Sequence, residues 1–351
     1  MVQSSMEFRG KPQGRKAIEA PAVNDRLKKW VRLPDAPAHW DVANVTTQSM
    51  LDRVLNRLQG SPDEVEPAMV ELISTLWSVK STCAAEVWES VIAQCVNHPL
   101  REVIHEDPFA SRCFQKPRGY AGDAVLIDYL YTRQCESDGS PPVSVRGKRI
   151  FEFTRDIPAG YAVRRRRDLM ATIIDELCAT KAAPHILSVA CGHLREASLS
   201  KGVTGGATER FIALDQDELS LATVQQEVAR FGVTAVHNSI KAVFRGPVAE
   251  EKFDLIYSTG LYDYLDDRIA TKLTHRLFDM LNPNGRLVVA NFVPNLACSA
   301  YMEAMLDWKL IYRDVKQVET LAATIPLTQM ESRKAYEEEN GNIAFLDIVK
   351  R

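Results

Sequence analysis

The chain has no C-x-x-C pair, no apolar run long enough to span a bilayer, and no G-x-G-x-x-G motif. Each absence excludes a class. Its seven cysteines run from Cys83 to Cys298, an odd and scattered set that fits neither a disulfide framework nor a zinc ribbon. Reduced thiols and a cytoplasmic location are therefore expected. The opening stretch, MVQSSMEFRGKPQGRK, has no signal-peptide core, so no export is expected from it. Cationic excess is also missing: 43 lysines and arginines face 46 acids, for a net charge of −3, and a nucleic-acid partner is not expected. The seven histidines do not join cysteines or acids at metal-ligand spacings, so no metal is expected.

What is present is ordinary for a globular protein. With 46% hydrophobic and 25% charged residues over 351 positions, the chain can bury a large core, and one large domain with a smaller second one is expected. Residues 1–45 give no clean period and read as an irregular lead-in. From about Thr46 the spacing becomes helical, with Met50, Leu51, Val54 and Leu58 on one face. Ser61 and Pro62 mark the start of another helix, and a third is expected over Thr82–Val96. RGYAGDAVLIDYLY (118–131) is a glycine-bearing loop entering a helix, and SDGSPPVSVRG (137–147) is the most linker-like segment. The expected domains are thus a helical substrate or lid module over 46–147 and a second domain over 148–351, opened by a helix at about 158–180.

Beyond Ala182 short apolar runs alternate with helical segments, the pattern of strand–helix–strand units around a parallel sheet. The spacing predicts strands over 185–191, 210–215, 234–238, 253–258 and 286–292, with helices near 193–201, 217–231 and 266–282. Asn340, Gly341 and Asn342 then join two extended runs into a terminal hairpin. Such sheets bind ligands at the carboxyl ends of their strands. There the first strand, ILSVACGHLREA, ends in the small residues Ala190, Cys191 and Gly192, which permit close backbone approach. The second strand ends at Asp215, followed by Gln216, placing a carboxylate where it can accept ribose hydroxyls, and the third ends at Asn238 and Ser239. Alone, each of these has an ordinary reading as a turn or a helix cap.

In that order, and followed by FDLIYSTGLYDYL and NPNGRLVVANF, these positions resemble the Rossmann-like (class I) methyltransferases that use S-adenosylmethionine. The resemblance covers about 160–351. It implies an α/β fold with seven strands in the order 3-2-1-4-5-7-6 and a terminal antiparallel hairpin, preceded here by the all-helical module. It also implies S-adenosylmethionine as cofactor, held by Ala190, Cys191, Gly192, Asp215, Gln216, Asn238, Ser239, Ser258 and Gly260. The turn departs from the family pattern, which commonly has glycine at positions 190 and 194 and an acid at 188, where this chain has Ala190, Leu194 and Ser188.

KPRGYAGDAVLIDYLY, LSVACGHLREA, YSTGLYDYL and YMEAMLDWKLIYRD further resemble a bacterial group associated with making 3-hydroxypalmitic acid methyl ester, an extracellular factor. That narrower resemblance implies methyl transfer to a small-molecule carboxylate. N-methylation of a small amine, or a non-catalytic adenosyl-binding role, stays open beside it. The candidate catalytic residues are Tyr262, Asp263 and Asp307. Candidate substrate-binding residues are Arg118, Tyr120, Tyr264, Tyr301, Glu303 and Arg313, with a helical insertion over 295–325. Arg118 or Arg313 would anchor a carboxylate. In AVRRRRDLM, most of Arg164–Arg167 is expected to be a solvated face, with one arginine free to meet a carboxylate. A homo-oligomer is left open.

Overall fold

The computed structural model describes residues 43–132, 134 and 142–351. Nearly all of the expected lead-in, and part of the linker-like stretch, lie outside them.

The seven strands form one sheet in the order β3-β2-β1-β4-β5-β7-β6. Their ranges are β1 His185–Val189, β2 Arg210–Asp215, β3 Val233–His237, β4 Phe253–Ser258, β5 Leu281–Phe292, β6 Met330–Glu337 and β7 Ile343–Lys350. Strands β1 to β5 pair in parallel, whereas β7 runs antiparallel to both β5 and β6. This is the Rossmann-like methyltransferase fold. The strands of its centre are apolar along their length, as required when both faces are covered. On one face Leu187, Ile212, Ile256 and Leu287 share a core with Leu273 and Leu277 of the Asp267–Asp279 helix.

β3 lies one residue earlier than expected, and larger differences at β1 and β5 have local reasons. β1 stops at Val189 because Ala190 turns into the left-handed region at φ +54°. β5 begins at Leu281, not Arg286, because NPNG is an irregularity inside the strand. Phe253 pairs with Leu281 and Leu255 with Arg286, and Asn282 donates to Asp254 Oδ1 at 2.7 Å across the interruption.

The helices before the sheet include Ala43–Leu58, Val65–Thr82, Ala85–Asn97 and Ala124–Thr132. The point drawn at 147 as a domain boundary falls inside a helix, Val145–Arg155, which Ser144 caps by accepting from the Gly147 N–H. That helix packs on Val65–Thr82, so the helical layer continues past the linker-like stretch. The Pro158–Thr180 helix then leads into β1. The expected insertion is only partly helical: Ser299–Leu306 ends where Asp307 adopts φ +48°, and an extended segment precedes Val315–Thr320. Trp308 therefore leaves the helical stripe expected with Tyr301 and Met305.

Candidate active site

The carboxyl ends of β1, β2 and β4 open onto a cavity of about 430 Å³. Its floor is the turn after β1. Ala190, Gly192 and Leu194 all have positive φ (+54°, +55° and +51°), and in two of them a side chain makes that conformation costly. The turn is held by Asp215. Its Oδ2 accepts the Gly192 N–H at 2.8 Å and its Oδ1 accepts the Asp217 N–H at 2.9 Å. Burial raises the Asp215 pKa from the ordinary carboxylate value, while these N–H donors hold it down in part. A Cβ on Gly192 would come within 3.3 Å of Ala124, so the bare backbone lets the Ala124–Thr132 helix close over the turn.

Asp263, after β4, is 3% exposed. Its Oδ1 accepts the Phe292 N–H at 2.7 Å and the Asn291 side-chain amide at 2.9 Å. Burial pushes its pKa up to about 6, against the pull of the Phe292 hydrogen bond and the charges of Arg166 and Arg313. Tyr264 accepts the Trp308 Nε1–H at 2.9 Å, and both rings line the cavity. Gly122 makes this wall possible: a Cβ there would stand 2.7 Å from the Tyr264 hydroxyl and 2.8 Å from the Trp308 ring.

Of the residues singled out from the sequence, Ala190, Cys191, Gly192, Asp215, Gln216, Asn238 and Gly260 line this cavity. Tyr120, Asp263 and Tyr264 do so as well. The rest do not, and each has another partner or setting. Ser258 donates to Val189 O at 2.8 Å and Ser239 caps a short helical turn. Tyr262 is fully buried with its hydroxyl on Thr274, 3.0 Å away. Asp307 is ion-paired with Lys116. Arg118 binds Asp217 at 2.6 Å and Ser220 at 2.9 Å. Glu303 accepts from Lys80 at 2.6 Å and Trp88 at 2.8 Å, and Tyr301 is buried in the same helix. Arg313 is consumed by the protein's own carbonyls and acids. These eight side chains stand outside the cavity lining.

Six charged or titratable wall residues were absent from the sequence-based site: Asp128, Tyr131, Arg166, His193, Arg195 and Glu196. Asp128 is held by Arg195 through 2.8 and 2.6 Å bonds and by His193 Nδ1 at 2.7 Å. Burial raises its pKa, but the Arg195 and His193 contacts outweigh that and leave it below the ordinary value. His193 Nε2 is buried with no hydrogen-bond partner among the described residues.

No family model matches the chain, and no curated protein matches it. Among solved structures, the chain is similar to a possible exported protein from Bordetella parapertussis. The two are 15% identical, over 90% of this chain and 99% of that one, with a TM-score of 0.54. That likeness shows a shared fold. Weaker likenesses include the N-methyltransferase NodS from Bradyrhizobium japonicum in complex with S-adenosyl-L-homocysteine, with TM-score 0.40, 15% identity and coverage of 56% of this chain and 89% of that one. Magnesium protoporphyrin IX methyltransferase from Synechocystis with bound S-adenosylhomocysteine has TM-score 0.41 and 10% identity, over 65% of this chain and 99% of that one. These two are too distant to bear on this chain's chemistry, which rests on the cavity itself.

Proposed function

We propose that the chain is an S-adenosylmethionine-dependent methyltransferase acting on a small molecule. The observation that carries this reading is the sign of the cavity. Asp128, Glu196, Asp215 and Asp263 line it against the guanidiniums of Arg166 and Arg195, and Arg195 is already bound to Asp128 and Glu227. A dinucleotide would bring its pyrophosphate into this acid-rich space, whereas a sulfonium brings positive charge. The side chains also suit an adenosyl ligand. Asp215 accepts from the backbone N–H groups of Gly192 and Asp217, and its two oxygens, with about four lone-pair sites, keep acceptor capacity for ribose hydroxyls. Asn238 offers an amide on the same wall.

When bound, S-adenosylmethionine supplies a methyl carbon attached to a good thioether leaving group. The task left to the protein is mainly positioning and water exclusion. The Ala124–Thr132 helix, with the loop before it, would serve as the lid, in keeping with a substrate role for the helical module. Arg118 and Arg313, the anchors considered for a carboxylate acceptor, are both spent on internal partners. With those two spent, the buried acid Asp263 on the cavity wall is what favours an amine or hydroxyl acceptor over the fatty-acid carboxylate of the narrower resemblance. Such an acceptor must lose a proton, and Asp263, with its raised pKa, can take one near neutral pH. The reduced thiols of the described cysteines suit the cytoplasm as the working compartment.

The test is transfer of labelled methyl from S-adenosylmethionine to a panel of amines, hydroxy compounds and acids. Label is expected on an amine or hydroxyl, falling about 100-fold in Asp263→Asn, the lower end of the usual range for losing a general base. Label recovered as a base-labile ester would return the carboxylate reading. Ligand binding without transfer to any acceptor would favour the non-catalytic one.

A further inference from the structure

Two stretches beyond the carboxyl edge of the sheet carry no acid, although the chain has 46 of them: NSIKAVFRGPVA (238–249), after β3, and RIATKLTHR (268–276), in the Asp267–Asp279 helix. They lie against each other. Arg276 Nε donates to the Val243 carbonyl at 2.5 Å and its Nη2 to the Ala249 carbonyl at 2.6 Å, and Lys272 Nζ stands 5.3 Å from the centre of the Phe244 ring. Arg268, Ile269 and Lys272 share one flank of the helix through their three- and four-residue spacings.

Lys241, Arg245, Arg268 and Lys272 are exposed, and among the described residues none of them forms an ion pair. Of the acids that border the two stretches, Glu251 pairs with Arg210 at 2.9 Å, Asp266 accepts the Ile269 N–H at 2.8 Å and Asp267 accepts from Arg313 at 2.7 Å. Glu250 and Asp279, just outside the stretches, are left against four cations. The chain as a whole has a net charge of −3, so this positive surface is local. Two apolar side chains stand among the charges: Phe244 is 37% exposed and Ile269 38%. Cations surrounding an aromatic and a branched aliphatic side chain suit the boundary of an anionic bilayer, where the first meet phosphates and the second enter the acyl region. Both stretches adjoin the cavity wall, through Asn238 and Ile240 on one side and Tyr264 and Leu265 on the other.

We propose that Lys241, Phe244, Arg245, Arg268, Ile269 and Lys272 form a surface that docks the protein on an anionic lipid bilayer. The four cations take the headgroup phosphates, and Phe244 and Ile269 enter the apolar layer beneath them. Among the described residues no helix is long and apolar enough to cross a membrane, so the contact is peripheral. It places a wall of the cavity beside the lipid, and it does not depend on the methyltransferase reading.

The experiment is co-sedimentation of the full chain with vesicles of phosphatidylcholine alone and of phosphatidylcholine mixed with phosphatidylglycerol. Binding is expected to the mixed vesicles only, and to weaken as salt is added. Lys241→Gln combined with Lys272→Gln should weaken it by at least about tenfold, since each cation near an anionic surface is worth roughly fivefold. Phe244→Ala, which keeps every charge, should weaken it by at least about threefold. Lys316→Gln combined with Lys334→Gln, two exposed lysines on other elements, should leave it within about twofold. All five replaced side chains are exposed, so the circular dichroism of these variants should match that of wild type. Failure to bind the mixed vesicles overturns the proposal. So does an equal loss in the two lysine pairs, which would mean a diffuse charge effect. Unchanged binding by Phe244→Ala, together with equally tight binding of wild type to duplex DNA, would give the surface to a soluble polyanion and likewise overturn bilayer docking.

Discussion

Arg313 and Arg166 both approach the carboxyl edge of the sheet, yet they sit in opposite surroundings. Arg313 comes from the segment after the Ser299–Leu306 helix and is 2% exposed. Its five hydrogen bonds go to Tyr262 O, Leu265 O, Asn291 Oδ1 and, twice, Asp267 Oδ1, matching the five N–H groups of a guanidinium. The turn after β4 is built around it. Among the described residues Arg166 has no such partners, and it faces a cavity. The difference is where the backbone turns its carbonyls. Around Arg313 a helical turn aims them at the side chain, so the charge is used to hold shape. Arg166 reaches past its own helix into space that another molecule can fill.

Removing each arginine is the sharpest way to break this contrast. Arg313→Ala strands two buried carbonyls and the Asn291 side-chain oxygen and empties the space of a large buried side chain, so it should lower stability by about 2–4 kcal/mol in chemical denaturation, the scale of unsatisfied buried acceptors. Arg166→Ala should change stability by less than about 0.5 kcal/mol. Comparable losses would show that Arg166 is structural after all.

Two further changes sharpen the comparison at intermediate cost. Asp107 is fully buried; its Oδ1 accepts the Phe109 N–H at 2.8 Å, while Oδ2 has no partner. Burial pushes its pKa up to about 7, only partly opposed by hydrogen bonds from Phe109 and its neighbours. The folded carboxyl then binds its proton more tightly than the unfolded one. The stabilisation is therefore fully present below about pH 4 and is lost as pH rises through about 7. Asp107→Asn keeps the cap and removes the ionisation, so at pH 8 it should be more stable than wild type by about 1–3 kcal/mol, with the gap closing at pH 4. Thermal melts across that window check the sign. Gly122→Ala drives a methyl into Tyr264 and Trp308 and should cost about 1–3 kcal/mol and weaken adenosyl-ligand binding, measured by denaturation and calorimetry.

The smallest effect is expected at the surface. Lys309 pairs with Glu89 at 3.0 Å, and both side chains are half or more exposed. Lys309→Ala should shift the denaturation midpoint by no more than about 0.5 kcal/mol equivalent.

How much of this was legible in the sequence follows the range of the interactions involved. β2 and β4, the Pro158–Thr180 helix and the terminal hairpin announce themselves through apolar period and turn residues, all local signals. The places of the turn at 190–192 and of Asp215 on the cavity were equally readable, because they follow from the ends of strands. The contacts of Glu303 and Arg313 were not legible because nothing local reveals their partners: Lys80 meets Glu303 across 223 positions, and Asp267 meets Arg313 across 46. Polar residues beside a presumed pocket looked like pocket residues. Arg166 and Glu196 carried a faint signal, one in a run expected to contain a carboxylate partner and the other two residues past the turn that lacks its acid. Only the spatial arrangement shows which arginine of the run is unspent.

The most direct measurement is calorimetric titration of the full chain with S-adenosylmethionine, S-adenosylhomocysteine and NAD, repeated on Asp215→Ala. Micromolar binding of both adenosyl ligands, no binding of NAD, and loss of binding in the variant are the predicted results. Binding of NAD in preference to the adenosyl ligands, or binding of none of the three, would contradict the proposed sulfonium ligand.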